Sequence, residues 1–150
     1  MVPLLQVWQE HNVNKTASQQ ETKVNNQPQL QGTKLTGFTP VASISQLQET
    51  DTAPGTGATV KASDTITVDY TGALASTGVI FESSKDSGQP VTFPLSDVIP
   101  GWTQGIPGMK EGGTRRLLIP AKLAYGAAGK GSIPANADLV FDVTVHSVAK

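Results

Sequence analysis

Two runs of the chain largely alternate between apolar and polar residues, and this pattern constrains the fold more than any other feature. Residues 65–74 and 139–148 each place most of their apolar side chains at every second position. A period of two predicts β-strands with one face against a core. The residues on the predicted inner face are Ile66, Val68, Tyr70, Leu139, Phe141, Val143 and Val145.

Shorter patterns complete the predicted fold. Extended segments are expected at 44–50, 79–81, 91–95 and 114–119, and Pro94 favours an edge position for the third. Between them, Ile99, Trp102 and Ile106 have helical spacing, Ser96-Asp97 is a candidate N-cap, and Pro107-Gly108 is expected to end the helix. We therefore predict an α+β fold, a curved antiparallel sheet of about five strands wrapped around one short helix.

The N-terminal region has a different composition. Residues 1–33 contain seven Gln and four Asn without a sustained period, which predicts a flexible tail at 1–37 and a folded domain at 38–150. The net charge of −1 gives no basic footprint for nucleic acid, and no apolar run approaches the ~20 residues of a membrane span. We expect a cytoplasmic monomer, or a protein of the cell envelope if an apolar segment precedes this sequence.

The sequence contains few of the residue patterns on which metal-dependent or nucleophilic catalysis depends. The chain has no cysteine and only two histidines, His11 and His146, neither at metal-ligand spacing from a second ligand. No Gly-x-Ser-x-Gly elbow occurs, and the glycine-rich residues 126–131 lack the spacing of a phosphate-binding loop. We predict no metal and no cofactor. Six aromatic residues remain, each of which, taken singly, fits a core position or a binding site: Tyr70, Phe81, Phe93, Trp102, Tyr125 and Phe141.

Several ordered motifs give these residues a context. They are Val98-Ile99-Pro100-Gly101-Trp102, the run at 112–120, Leu123-Ala124-Tyr125-Gly126, Ile133-Pro134, and the run at 139–143. With these motifs the chain resembles the FKBP-type peptidyl-prolyl cis-trans isomerases, the macrolide-binding immunophilins, over about residues 60–148. The resemblance implies the predicted fold, proline-containing polypeptides as substrates, and a macrolide as a further ligand.

The resemblance also implies roles for individual residues. Trp102 would form the floor of an apolar cleft, while the Tyr125 hydroxyl and the Ile99 N–H would donate to ligand carbonyls. The implied catalytic positions are Tyr70, Phe81, Glu82, Ile99, Trp102, Tyr125 and Phe141. The implied substrate-binding positions are Val91, Phe93, Val98, Ile133 and Lys130. Two functions stay open, an isomerase and a module that binds proline-containing partners with little turnover; a general chaperone is less favoured.

The chain departs from the family pattern at three positions. Glu82 stands where the family usually has Asp, so it either reaches differently into the cleft or is a solvated residue on its rim. Val91 replaces a frequent aromatic residue, and Lys130 stands where the loop over the cleft often has His. We therefore expect retained isomerase activity with weaker macrolide binding.

Overall fold

A six-stranded antiparallel sheet organises the domain. In the computed structural model, which describes residues 29–149, the strands are β1 (Gln48–Ala53), β2 (Thr65–Leu74), β3 (Ile80–Ser83), β4 (Val91–Pro94), β5 (Thr114–Ile119) and β6 (Leu139–Ala149). The order is β1-β5-β6-β2-β3, and β4 pairs with the same edge of β2 as β3 but nearer the N-terminal end of β2. The predicted fold class is confirmed, with six strands instead of about five.

One short α-helix, α1 (Pro100–Gly105), packs against the concave face of this sheet. Its N-cap is Ile99 and no side chain caps it, so the predicted cap at Ser96-Asp97 is wrong; residues Leu95–Asp97 form a separate 3-10 turn. Pro100 favours the first helical position because its φ is already fixed. Gly101 has a packing reason, since a Cβ there would lie 2.5 Å from the Ile119 Cγ2 of β5.

The alternation predicted for the two long strands is confirmed. Ile66, Val68 and Tyr70 of β2 are buried against α1, as are the alternate residues of β6 from Leu139 to Val145. The first strand begins later than predicted, at Gln48 instead of residue 44, and all its side chains are exposed. Pairing with β5 defines it, and hydrophobicity therefore could not reveal it.

The opposite face of the sheet carries a smaller core. Ala73, Ile80 and Val140 are buried there beneath Leu30, Leu35 and Phe38. The Asp86 carboxylate accepts hydrogen bonds from the backbone N–H groups of Leu30 at 2.6 Å and Gln31 at 3.0 Å. Contacts with the domain thus begin upstream of residue 38, where the sequence predicts the domain to start; residues 1–28 of the predicted tail lie outside the described residues. No helix within 29–149 is long and apolar enough to cross a bilayer.

Candidate functional site

Trp102 of α1 is the centre of an aromatic cluster on the concave face. The rings of Tyr70 and Phe93 lie 5.3 Å from the indole and that of Phe141 lies 5.4 Å away. Tyr70 and Phe141 meet it edge to face, the arrangement that ring quadrupoles favour. Because these residues come from α1, β2, β4 and β6, the cluster forms only when the sheet has curved around the helix.

Other residues that the sequence predicts for the site belong to the same cluster. Phe81 meets Phe141 edge to face at 5.7 Å, and Gly72 makes this contact geometrically feasible. A Cβ at Gly72 would lie 2.5 Å from the Phe141 ring and 2.8 Å from the Phe81 ring. Val98, Ile99 and Ile133 are buried in this core, and the partly buried Val91 and Tyr125 pack against it.

Lys130 is a predicted substrate-binding residue in the loop over the site. It lies half-buried in the loop before β6, where its backbone exchanges hydrogen bonds with that of Ile133 at 3.0 and 2.8 Å. A contribution to ligand binding from its side chain stays a prediction.

Glu82 does not lie on the rim. Its side chain is fully buried, and the Tyr70 hydroxyl donates a 2.6 Å hydrogen bond to its Oε2. The alternative of a solvated glutamate is therefore wrong. Burial raises the pKa of Glu82 to about 8, against the opposing effect of the Tyr70 hydrogen bond. Burial, reinforced by the neighbouring Glu82, also raises the pKa of Tyr70 well above its usual value.

A β-bulge explains how Glu82 reaches this position. The register of β3 against β2 shifts between Gly72 and Ala73, so that Glu82 faces Gly72 while Ile80 faces Ala73. Phe81 is the extra residue, and a bulge of this kind redirects neighbouring side chains. Phe81 and Glu82, although consecutive, both contact concave-face residues, whereas Ile80 lies in the core on the other face.

Two polar atoms in this cluster have no partner within residues 29–149. They are Glu82 Oε1 and Trp102 Nε1, both fully buried. Buried polar groups are normally hydrogen-bonded, so such exceptions call for an explanation. Tyr70 joins the two residues, since its ring contacts the indole and its hydroxyl binds the acid.

Ser84 is a supporting residue that sequence reasoning missed. Its hydroxyl accepts from the Tyr70 N–H at 2.9 Å and donates to Asp69 Oδ1 at 2.6 Å. It therefore fixes the backbone at the tyrosine that holds Glu82. The sequence shows only that two serines, Ser83 and Ser84, follow Glu82. It does not show which of them binds the backbone of Tyr70.

The concave site has limited access in this structure. Trp102 has no exposed surface, and Ile99 and Phe81 are 2% and 4% exposed. A prolyl ring reaches the indole only if groups that cover it move aside. No side chain caps the start of α1. Pro100 has no N–H, and the N–H groups of Trp102 and Thr103 donate to the Ile99 carbonyl at 2.9 and 3.2 Å.

Comparisons with known proteins agree with this geometry. A family profile described as "FKBP-type peptidyl-prolyl cis-trans isomerase" matches residues 57–146. The chain is 54% identical over 96 residues to the FKBP-type peptidyl-prolyl cis-trans isomerase FkpA of Aeromonas hydrophila, an alignment that covers 64% of this chain and 35% of that protein. It is 45% identical over 97 residues to the outer membrane protein MIP of Legionella longbeachae, covering 64% and 41%.

A solved structure covers more of the chain. The peptidyl-prolyl cis-trans isomerase of Pseudomonas syringae superposes with a TM-score of 0.64 at 30% identity, over 95% of this chain and 92% of that one. The chain spans well under half the length of the two curated relatives named above. The match of the family profile to most of the folded domain decides the assignment: this chain belongs to the FKBP-type peptidyl-prolyl cis-trans isomerases.

Proposed function

We propose that this chain accelerates cis-trans rotation about X-Pro peptide bonds in polypeptides. The observation that carries the proposal is the convergence of Tyr70, Phe93 and Phe141 on Trp102, at 5.3–5.4 Å, in a chain of this family. Once uncovered, these apolar rings would suit the ring of proline, which is apolar and lacks a backbone N–H.

The physical basis of rotation is differential binding. The planar amide is resonance-stabilised, and rotation about it faces a barrier of roughly 18–20 kcal/mol. Charge separation between oxygen and nitrogen is larger in the planar form than in the twisted transition state. An apolar cleft therefore disfavours the planar form more, and each ~1.4 kcal/mol of this difference is worth a factor of ten in rate. No covalent bond forms or breaks, so the reaction requires neither nucleophile nor cofactor.

The roles proposed for the site come from the family resemblance, and the clustering of these residues around Trp102 supports them. Trp102 forms the floor, and the rings and aliphatic side chains around it form the walls. Donors from Tyr125 and from the backbone at Ile99 would hold the ligand carbonyls, as the family resemblance implies. The binding module without turnover stays the alternative, and the same pocket would serve it.

The rate of prolyl exchange in a peptide with one X-Pro bond distinguishes the two functions. Measured without a coupling protease, by NMR exchange spectroscopy on the full chain, exchange should be well above the buffer rate. Trp102→Leu and Tyr125→Phe should each lower kcat/KM by about tenfold or more, a loss of ~1.4 kcal/mol of transition-state binding. Gln104→Ala, an exposed position on the same helix, is the matched control and should have no effect.

Exchange at the buffer rate, with peptide binding intact, would leave only the binding module. Because Trp102→Leu alters the core, its thermal unfolding is followed in parallel. Tyr125 is partly exposed, so Tyr125→Phe provides a second variant that is expected to fold.

We further propose weaker macrolide binding than in relatives with Asp at position 82 and an aromatic residue at 91. Val91 supplies less surface, and Glu82 is engaged by Tyr70 inside the core. A macrolide should inhibit prolyl exchange only weakly; inhibition as tight as in such relatives would refute this point.

The compartment and the assembly state stay proposals. The name of the Legionella relative favours the cell envelope over the cytoplasm, and cell fractionation would decide between them. We propose that the domain is a monomer, which light scattering on the purified chain would test.

A further inference from the structure

We propose that Glu82 acts in the cleft as a neutral carboxylic acid, whose Oε1 hydroxyl donates a hydrogen bond to a carbonyl oxygen of the bound polypeptide. This inference rests on the proposed function and deepens it. It assigns Glu82 a specificity role that differs from that of an ionised carboxylate, because a carboxylate could only accept a hydrogen bond at this place.

The surroundings of Glu82 do not support a negative charge. The carboxyl group is fully buried and receives one hydrogen bond, from the Tyr70 hydroxyl. An ionised carboxylate has about four acceptor sites, and burying it with a single neutral donor is unfavourable. The raised pKa of about 8, caused by burial, agrees with this reasoning and makes the neutral form dominant at pH 7.

No cation is available to balance the charge. The four ion pairs within residues 29–149 do not include Glu82. Neighbouring acidic groups have partners elsewhere: Asp69 binds Ser84 and His146, and Asp86 binds the backbone at residues 30 and 31. The titratable or charged residues on the elements around Glu82 are Asp69 and Tyr70 on β2, Lys85 and Asp86 after β3, Tyr125 before β6, and Asp142 and His146 on β6.

The hydrogen bond from Tyr70 places the proton. The oxygen that accepts from the tyrosine, Oε2, is the better acceptor of the neutral acid and is therefore its carbonyl oxygen. The hydroxyl is then at Oε1, the atom without a partner. Trp102 Nε1, the other unpartnered atom, can only donate.

Two unsatisfied donors in one apolar cluster select a ligand rich in acceptors. A polypeptide around proline has this chemistry, because proline supplies a carbonyl oxygen but no N–H. Forming the bond would satisfy a buried hydroxyl that otherwise has no partner, which strengthens binding. Glu82 thus favours carbonyl acceptors over hydroxyl or N–H donors at this place.

The test combines the protonation state with the pH dependence of catalysis. The ¹³C NMR shift of the Glu82 carboxyl carbon, assigned by its loss in Glu82→Gln, is followed from pH 5 to 10. It should titrate with a midpoint near 8. In the prolyl exchange assay, wild-type kcat/KM should fall about fivefold or more between pH 7 and pH 9.5, with the buffer rate subtracted at each pH.

Glu82→Gln is the decisive variant because its amide keeps both an acceptor for Tyr70 and a donor for the ligand, and it does not titrate. At pH 6.5 its kcat/KM should lie well above that of Glu82→Ala, and it should stay flat to pH 9, unlike that of the wild type. Glu82→Ala, which lacks the donor, should be impaired at every pH. Thermal unfolding of each variant separates a loss of donor from a loss of folding.

Two results would overturn the proposal. One is a Glu82 carboxyl group that titrates below about pH 5.5 in the folded protein, near its ordinary range. The other is a folded Glu82→Gln variant that is as impaired as Glu82→Ala at pH 6.5. If no variant accelerates exchange, the proposed isomerase function fails separately. The affinity of the wild type for a proline peptide, measured at pH 6.5 and pH 9.5, then tests whether neutral Glu82 donates to the ligand. Equal affinities at the two pH values would refute the proposed hydrogen bond.

Discussion

Glu82 and Arg115 are both buried ionisable residues of the same sheet, but their surroundings are opposite. Arg115, 7% exposed, donates to Asp51 Oδ1 at 2.6 Å, to the Gly105 carbonyl at 2.8 Å, and to Glu49 at 3.3 Å. Glu82, fully buried, has one hydrogen bond and an oxygen without a partner.

The difference separates the structural role of Arg115 from the functional role proposed for Glu82. Arg115 joins β1, β5 and the C-terminal end of α1, and its carboxylate partners are more than a third exposed. Because the guanidinium group of Arg115 has hydrogen-bond acceptors on β1 and at the end of α1, Arg115 stabilises the fold. The Glu82 region keeps buried polar atoms unsatisfied, which costs stability unless a ligand supplies the missing partner.

The largest expected effect is on the pH dependence of stability. Unfolded Glu82 ionises near 4.5, whereas folded Glu82 keeps its proton up to about 8. The free energy of unfolding should therefore fall as the pH rises through this window, by up to about 5 kcal/mol, and change little from this group above it. Glu82→Gln should remove this loss. Urea unfolding of both proteins at pH 5, 7 and 9 measures it. An equal pH dependence of the free energy of unfolding in the two proteins would contradict the assignment of this loss to Glu82.

A smaller loss of folding stability is expected when Arg115, the structural residue of the comparison, is replaced. Arg115→Ala removes the partner of the Gly105 and Pro107 carbonyls and should lower the free energy of unfolding by about 3 kcal/mol at all pH values from 5 to 9. Arg116→Ala is the matched comparison. Arg116 pairs with Asp142 at 2.7 Å but is partly exposed, so the loss should be about 1 kcal/mol. Equal losses would show that burial does not distinguish these arginines.

Much of the fold could be predicted because its signals are local. Over residues 66–70 of β2 and 141–145 of β6, buried residues alternate with partly buried ones, and the periodicity of the sequence reports this directly. β1 is all exposed and is defined by pairing with β5, information that lies about 65 residues away in the sequence. The contacts of Leu30 and Leu35 with the sheet could not be predicted either, because their partners also lie far away in the sequence.

Most of the residues that cluster around Trp102 could be predicted, but the environment of Glu82 could not. Strict alternation would place Phe81 and Glu82 on opposite faces, whereas the bulge against Gly72 and Ala73 turns both toward the concave face. A bulge depends on register between strands, which the local sequence does not encode strongly. The burial of Glu82, and hence its protonation state, therefore required the structure.

The most direct test of the account follows the indole N–H of Trp102 by ¹⁵N NMR. Trp8→Phe leaves it as the only tryptophan of the chain. A peptide with one X-Pro bond should shift or broaden this signal at the concentrations at which its own prolyl exchange is accelerated, and the same peptide with Ala in place of Pro should not. Accelerated exchange with an unchanged Trp102 signal would contradict the claim that the indole is the floor of the catalytic cleft.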